Sequence, residues 1–350
     1  MRRKFTRREF LKLSSISFTG LAVAPRLPLK PLPPENGPRS VERYGRVTGS
    51  ALQRMTRPGS HGKRVDYVYR DDVFPIYQEV IGDGWFPHNH LWYEIPGGYV
   101  HSSWVQPVEN VENIPLATSP KFGQFGEISV PYADARTEPD PQATITYRVY
   151  YAAIFNIDEI VAAADGSLWY HIDDENGKIL WIPAESFRPI QPEEISPISP
   201  DVDDKSIEVD LTYQTLSAFE NGAEVFRTTI SSGTSFFGSV DEGLSRLTLL
   251  GSRPIWSKRI SRHMEGGTLE QGWDLPGVGW VSYFTSNGAA IHSTYWHNDY
   301  GRPRSAGCLN CRPEAARWIF RWTMPVVDYV PGNITVKWPG GTRINISETV

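Results

Sequence analysis

At 350 residues the chain is longer than one hydrophobic core normally organises, so two or three domains are expected. A composition of 40% hydrophobic, 12% aromatic and 21% charged residues excludes a disordered chain, and two cysteines, Cys308 and Cys311, exclude the disulfide framework of small secreted domains. The net charge is −5, but the first 24 residues alone carry +5 and the rest −10; an acidic body argues against nucleic acid as a partner, because phosphate binding needs a basic face.

Residues 1–24 pass from a basic stretch holding Arg7 and Arg8 into the short apolar run Leu13–Ala24. This resembles a twin-arginine export signal and is too short for a comfortable transmembrane helix, so no stable membrane span is expected after cleavage. Residues 25–43 are proline-rich and aperiodic, as a spacer would be, and residues 191–205 read as a second linker. Between them Leu91-Trp92-Tyr93-Glu94-Ile95 returns as Leu168-Trp169-Tyr170-His171-Ile172, each copy preceded by a Tyr-Arg pair, Tyr69-Arg70 and Tyr147-Arg148. That is the mark of a tandem duplication, and its short alternating strands suit small β-barrels. The two copies, 44–110 and 125–190, resemble bacterial SH3-like modules, with Trp92, Tyr93, Trp104, Trp169, Tyr170 and Trp181 filling their cores. His88, His90 and His101 lack a thiol or carboxylate pattern beside them, so no metal site is expected, and no cofactor either.

Residues 206–350 read as strands. Ile207, Val209 and Leu211 alternate with Glu208 and Asp210, and Asn221-Gly222 then marks a hairpin before Glu224–Thr228. Asn287-Gly288 marks another between Val281–Phe284 and Ala289–Thr294, and Pro339-Gly340-Gly341 a third. A single helix is expected from Pro313, with Ala315, Trp318, Ile319 and Trp322 as its apolar stripe and Pro325 as its stop. The fold class is therefore mainly β, with one helix just after the cysteines.

Cys308 follows the small residues Ser305, Ala306 and Gly307, where the backbone can approach an acyl group, and a nearby helix N-terminus would lower its thiol pKa. A cysteine nucleophile needs a base, and His292 stands 16 residues upstream on a strand face shared with the small Ala290 and Thr294. The segment Ile291–Asn310, IHSTYWHNDYGRPRSAGCLN, resembles the signature of the L,D-transpeptidase (YkuD-type) catalytic domain. The resemblance extends over Val209–Gly222, Asp274–Phe284 and the C-terminal Gly-Gly-Thr-Arg-Ile. It implies Cys308 as nucleophile, His292 as base and the backbone carbonyl of Ser293 as the group orienting the imidazole. It also implies an oxyanion hole from the Gly307 and Cys308 N–H groups, and a substrate cleft drawn from Tyr283, Trp296, His297, Arg302, Arg304, Ser305 and Asn310. The implied partner is the peptidoglycan stem peptide in the cell wall. One position departs from the family: Ala306 stands where the motif has histidine, and His297 is a candidate substitute for it. Cys311 either fills an apolar slot or pairs with Cys308 in a regulatory disulfide. A papain-like endopeptidase is disfavoured because here the histidine precedes the cysteine. A non-catalytic wall-binding protein with a decayed site stays open as the alternative.

Overall fold

The computed structural model describes residues 43–234, 247–267, 272–337 and 339–349. The export signal and nearly all of the first spacer fall outside them. No helix among the described residues is long and apolar enough to cross a membrane.

The architecture is mainly β, and the two segments that carry the repeated motif share an order of elements. In the first copy, strands Asn89–Ile95 and Gly98–His101 lead through the 3-10 turn Ser102–Trp104 into Val105–Val108. In the second, Leu168–Asp173 and Leu180–Pro183 lead through Ala184–Ser186 into Phe187–Pro189. The repeated aromatic pair is core in both: Trp92 and Tyr93 are 0% and 1% exposed, Trp169 and Tyr170 3% and 0%. Burying each such ring contributes roughly 2–3 kcal/mol. Trp104 and Trp181 are only half-buried at the edges of these cores.

The C-terminal region stacks its core between two five-stranded sheets. One is ordered Ala223–Thr229, Thr215–Glu220, Lys205–Asp210, Arg343–Ser347, Gly251–Pro254. The other is ordered Leu309–Cys311, Ala290–Ser293, Trp273–Tyr283, Ser257–Gly266, Asn333–Thr335. The helix Pro313–Trp322 buries Ala315, Ile319 and Trp322 between them, and Trp318 stacks on Phe226 with ring centroids 4.1 Å apart. At its C-terminal end the buried Lys258 ammonium donates to the carbonyls of Phe320, Thr323 and Pro325 at 2.5–2.8 Å, satisfying acceptors the helix leaves open.

Three expectations change. The Asn221-Gly222 turn, with φ of 48° and 77°, joins Ala223–Thr229 to a strand, Thr215–Glu220, that the sequence pattern hid. Its residues are buried on both faces over Leu216–Ala218, so alternation is lost. Pro339-Gly340-Gly341 is not a hairpin turn, because Asn333–Thr335 and Arg343–Ser347 belong to different sheets. The segment expected as a second linker is fastened down: Arg188 and Arg317 both pair with Glu194, and Lys205 Nζ donates to the Ile198 carbonyl at 2.8 Å.

Candidate active site

Sheet register assembles the site. Ser293 and Cys311, His292 and Asn310, and Ile291 and Leu309 are paired on parallel strands. One step earlier Cys308 falls beside Ala290, and Ala290 is paired on its other side with Tyr283. Paired residues share a sheet face, so Tyr283, Ala290 and Cys308 form a row, and His292 lies on that face two residues from Ala290. Tyr283 and Trp296 are half-buried, and the Trp296 ring centroid is 5.8 Å from that of His292.

The His292 ring is 2% exposed, and its Nδ1 donates to the Ser293 carbonyl oxygen at 2.8 Å. With the proton held on Nδ1, the lone pair is on Nε2. Burial lowers the imidazole pKa to about 4, the Ser293 carbonyl opposing the shift. Burial raises the Cys308 thiol to about 11, opposed by the Ala290 backbone N–H. The resting pair is therefore neutral thiol and neutral imidazole. Among the described residues the two side chains share no hydrogen bond; the thiol faces the Gly288 carbonyl at 4.0 Å.

The strand Leu309–Cys311 intervenes between Cys308 and Pro313, so the helix does not start directly from the thiol. The same strand separates the cysteines. Three extended residues span about 10 Å and turn the side chains to opposite faces, whereas a disulfide needs Cα atoms within about 7 Å. Cys311 is fully buried among Ile319, Leu309 and their neighbours, the apolar-slot arrangement.

The loop before Cys308 is pinned on several sides. Gly307, at φ 116°, passes its carbonyl to Thr248 Oγ1 at 3.1 Å and its N–H to Ser305 Oγ at 3.2 Å, while Ser305 Oγ donates to the Cys308 carbonyl at 2.6 Å. Of the two expected oxyanion donors, the Gly307 N–H is thus already engaged, and the Cys308 N–H is without a partner among the described residues. Ala306 is half-buried beside them.

Four residues expected at the substrate cleft are used elsewhere. His297 Nδ1 accepts the Asp299 N–H at 3.2 Å, and its Nε2 lies 2.9 Å from the Asn310 amide nitrogen. Both side chains are buried, and burial lowers the His297 pKa to about 3. Arg302 and Arg304 converge on the buried Asp299 carboxylate at 2.5 and 3.3 Å, and His88 meets its other oxygen at 2.8 Å. Their guanidinium groups lie over Phe86 and Trp104 of the first duplicated unit. These arginines hold that unit against the motif loop rather than reaching for a carboxylate in solution. Sequence reasoning missed Asp299, although an acid three and five residues before two arginines was a readable signal; Thr248, 60 residues from Cys308, gave none.

Comparison with known families decides what this arrangement is similar to. Residues 204–346 match the YkuD family, described as the L,D-transpeptidase catalytic domain. No curated protein matches the sequence. Among solved structures, a Cys-to-Ser variant of an L,D-transpeptidase from Enterococcus faecium is 23% identical, with a TM-score of 0.31, over 42% of this chain and 51% of that one. The chain thus spans about half the length of that relative. The catalytic domain of the E. faecium L,D-transpeptidase is 22% identical (TM-score 0.30, 41% of this chain, 98% of that one), and an L,D-transpeptidase from Mycobacterium smegmatis is 15% identical (TM-score 0.32, 69% and 90%). The YkuD match covers both C-terminal sheets, the helix, Cys308 and His292, and leaves the duplicated units outside it.

Proposed function

We propose that the chain is a peptidoglycan L,D-transpeptidase in which Cys308 is the nucleophile and His292 the base. The observation that carries the reading is the row Tyr283–Ala290–Cys308 with the His292 imidazole beside it, its tautomer set by the Ser293 carbonyl. Nε2 of His292 takes the thiol proton as sulfur attacks the carbonyl of the third residue of a stem tetrapeptide. The Cys308 N–H faces the oxyanion. Collapse breaks the bond to the terminal D-alanine, whose amine receives the proton from His292, and leaves a thioester. An amine on a neighbouring stem attacks that thioester, giving up a proton to His292, which returns it to the departing thiolate. The product is a 3→3 cross-link, and no cofactor enters the cycle.

The substrate places the working enzyme outside the cytoplasm, in keeping with the twin-arginine-like signal at residues 1–24. Residues 44–110 and 125–190 serve as SH3-like modules that set the catalytic region on the wall. Residue Ala306 favours one second reading, a wall-binding protein whose site has decayed. Incubating the purified chain with wall stem peptides and recording muropeptide masses tests both: new 3→3 dimers support the transpeptidase, and an unchanged profile together with binding to sacculi supports the binder.

A further inference from the structure

The hairpin Ser257–Gly266 and Trp273–Tyr283 carries a second cluster of ligand-type side chains, apart from the cysteine. Glu265 is paired directly opposite Asp274, and like charges so placed repel. Glu265 is exposed, and its side chain makes no hydrogen bond or ion pair among the described residues. His263 stands two residues earlier on the same strand, at a register shift between Arg262 and Met264, and such bulges re-aim a side chain. Its Nε2 is 2.5 Å from Asp274 Oδ1. One ligand atom from each of His263, Glu265 and Asp274 lies within 4.8 Å of the others.

The far side of the imidazole is also built. Nδ1 of His263 lies 3.5 Å from Asp174 Oδ2, with the two side chains 1% and 0% exposed. Neither atom has a hydrogen-bond partner. The other Asp174 oxygen accepts the N–H groups of Asn176 and Lys178, each at 3.0 Å, which fixes the carboxylate in place. A ring proton on Nδ1 would face this carboxylate, and Nε2 would then turn its lone pair toward a metal. Asp274 Oδ2 is taken by the Tyr147 hydroxyl at 2.7 Å and faces Lys178 Nζ at 3.8 Å, so it is Oδ1, now paired with His263 Nε2, that an ion would meet together with that nitrogen.

We propose that His263 Nε2, Glu265 and Asp274 Oδ1 bind one zinc-class divalent cation, with Asp174 as the carboxylate that orients the imidazole. One nitrogen and two oxygens suit Zn2+, whereas Ca2+ and Mg2+ favour oxygen-only sets. Tyr147, Asp174 and Lys178 belong to the second duplicated unit and the hairpin to the matched catalytic region, so the ion ties the two together.

Calorimetric titration of the full purified chain with ZnCl2 tests this, alongside thermal unfolding with and without the ion. One site per chain and a raised Tm are expected, with Asp174→Asn weakening binding roughly 10–100-fold and Glu265→Gln at least about tenfold. Glu265 is exposed, so its variant keeps the test valid should His263→Gln fail to fold. Cobalt absorption separates this site from the thiols. Zn2+ affinity unchanged in Glu265→Gln, no binding at millimolar Zn2+, Ca2+ binding as tight as Zn2+, or a sulfur-to-cobalt charge-transfer band would each overturn the proposal.

Discussion

Nδ1 of His292 donates to the carbonyl oxygen of Ser293, the next residue of its own strand, at 2.8 Å. One backbone group thereby does what a carboxylate does in serine proteases: it sets the tautomer, yet it adds no charge that would raise the imidazole pKa. Burial lowers that pKa to about 4, so the imidazole is unprotonated well into the acid range. The acid limb of kcat/KM is therefore expected near pH 4 rather than near the ordinary histidine value of 6.5. His292→Asn should lower kcat/KM by roughly 10²–10⁴ and remove that limb; a pH–rate profile of both proteins checks it.

The same burial makes stability depend on pH. The folded-state values of about 4 for His292 and about 3 for His297 lie below the ordinary 6.5, so the unfolded chain binds more protons between them. Their contribution is complete above about pH 6.5 and is lost as pH falls through the folded-state values, on the order of a few kcal/mol for each ring. Urea unfolding at falling pH should show the loss, and His297→Gln should flatten the slope.

Asp299 neutralises Arg302 and Arg304 and receives His88 from the first duplicated unit. Removing one partner of a buried charged cluster costs about 3–5 kcal/mol, so Asp299→Ala should lower Tm markedly. If the arginines instead served the substrate, Arg302→Ala would raise KM and leave Tm alone. Thermal unfolding beside steady-state kinetics separates the two.

Cys311 is buried on the opposite strand face from Cys308. Cys311→Ala should keep the acylation rate and lose roughly 1 kcal/mol of packing. Mild oxidation of the native chain should leave its intact mass without the loss of two hydrogens that a Cys308–Cys311 bridge produces; unfolding first should permit it.

Much of this was legible in the chain. Residues with local signals were placed well: Pro313 opened the helix and Asn287-Gly288 turned its hairpin. What failed depended on neighbours distant in sequence. Leu216–Ala218 lies buried on both faces, so its strand has no alternation to read. Arg302 and Arg304 looked like free loop cations because Phe86 and Trp104 are about 200 residues away. The thiol was expected to be lowered by a helix, whereas burial raises it to about 11; the three-residue strand between Cys308 and Pro313 is too short for a pattern. His263 and Glu265 alternate on one strand face, but Asp174, which completes the cluster, is nearly 90 residues upstream.

The central claim is that Cys308 forms a covalent acyl adduct with His292 as its base. Incubation of the purified chain with a carbapenem, an acylating reagent for such a thiol, followed by intact-mass analysis, tests it most directly. The wild type is expected to gain one adduct, Cys308→Ala none, and His292→Asn the same adduct far more slowly. No adduct on the wild type, or an equal adduct on Cys308→Ala, would contradict the account.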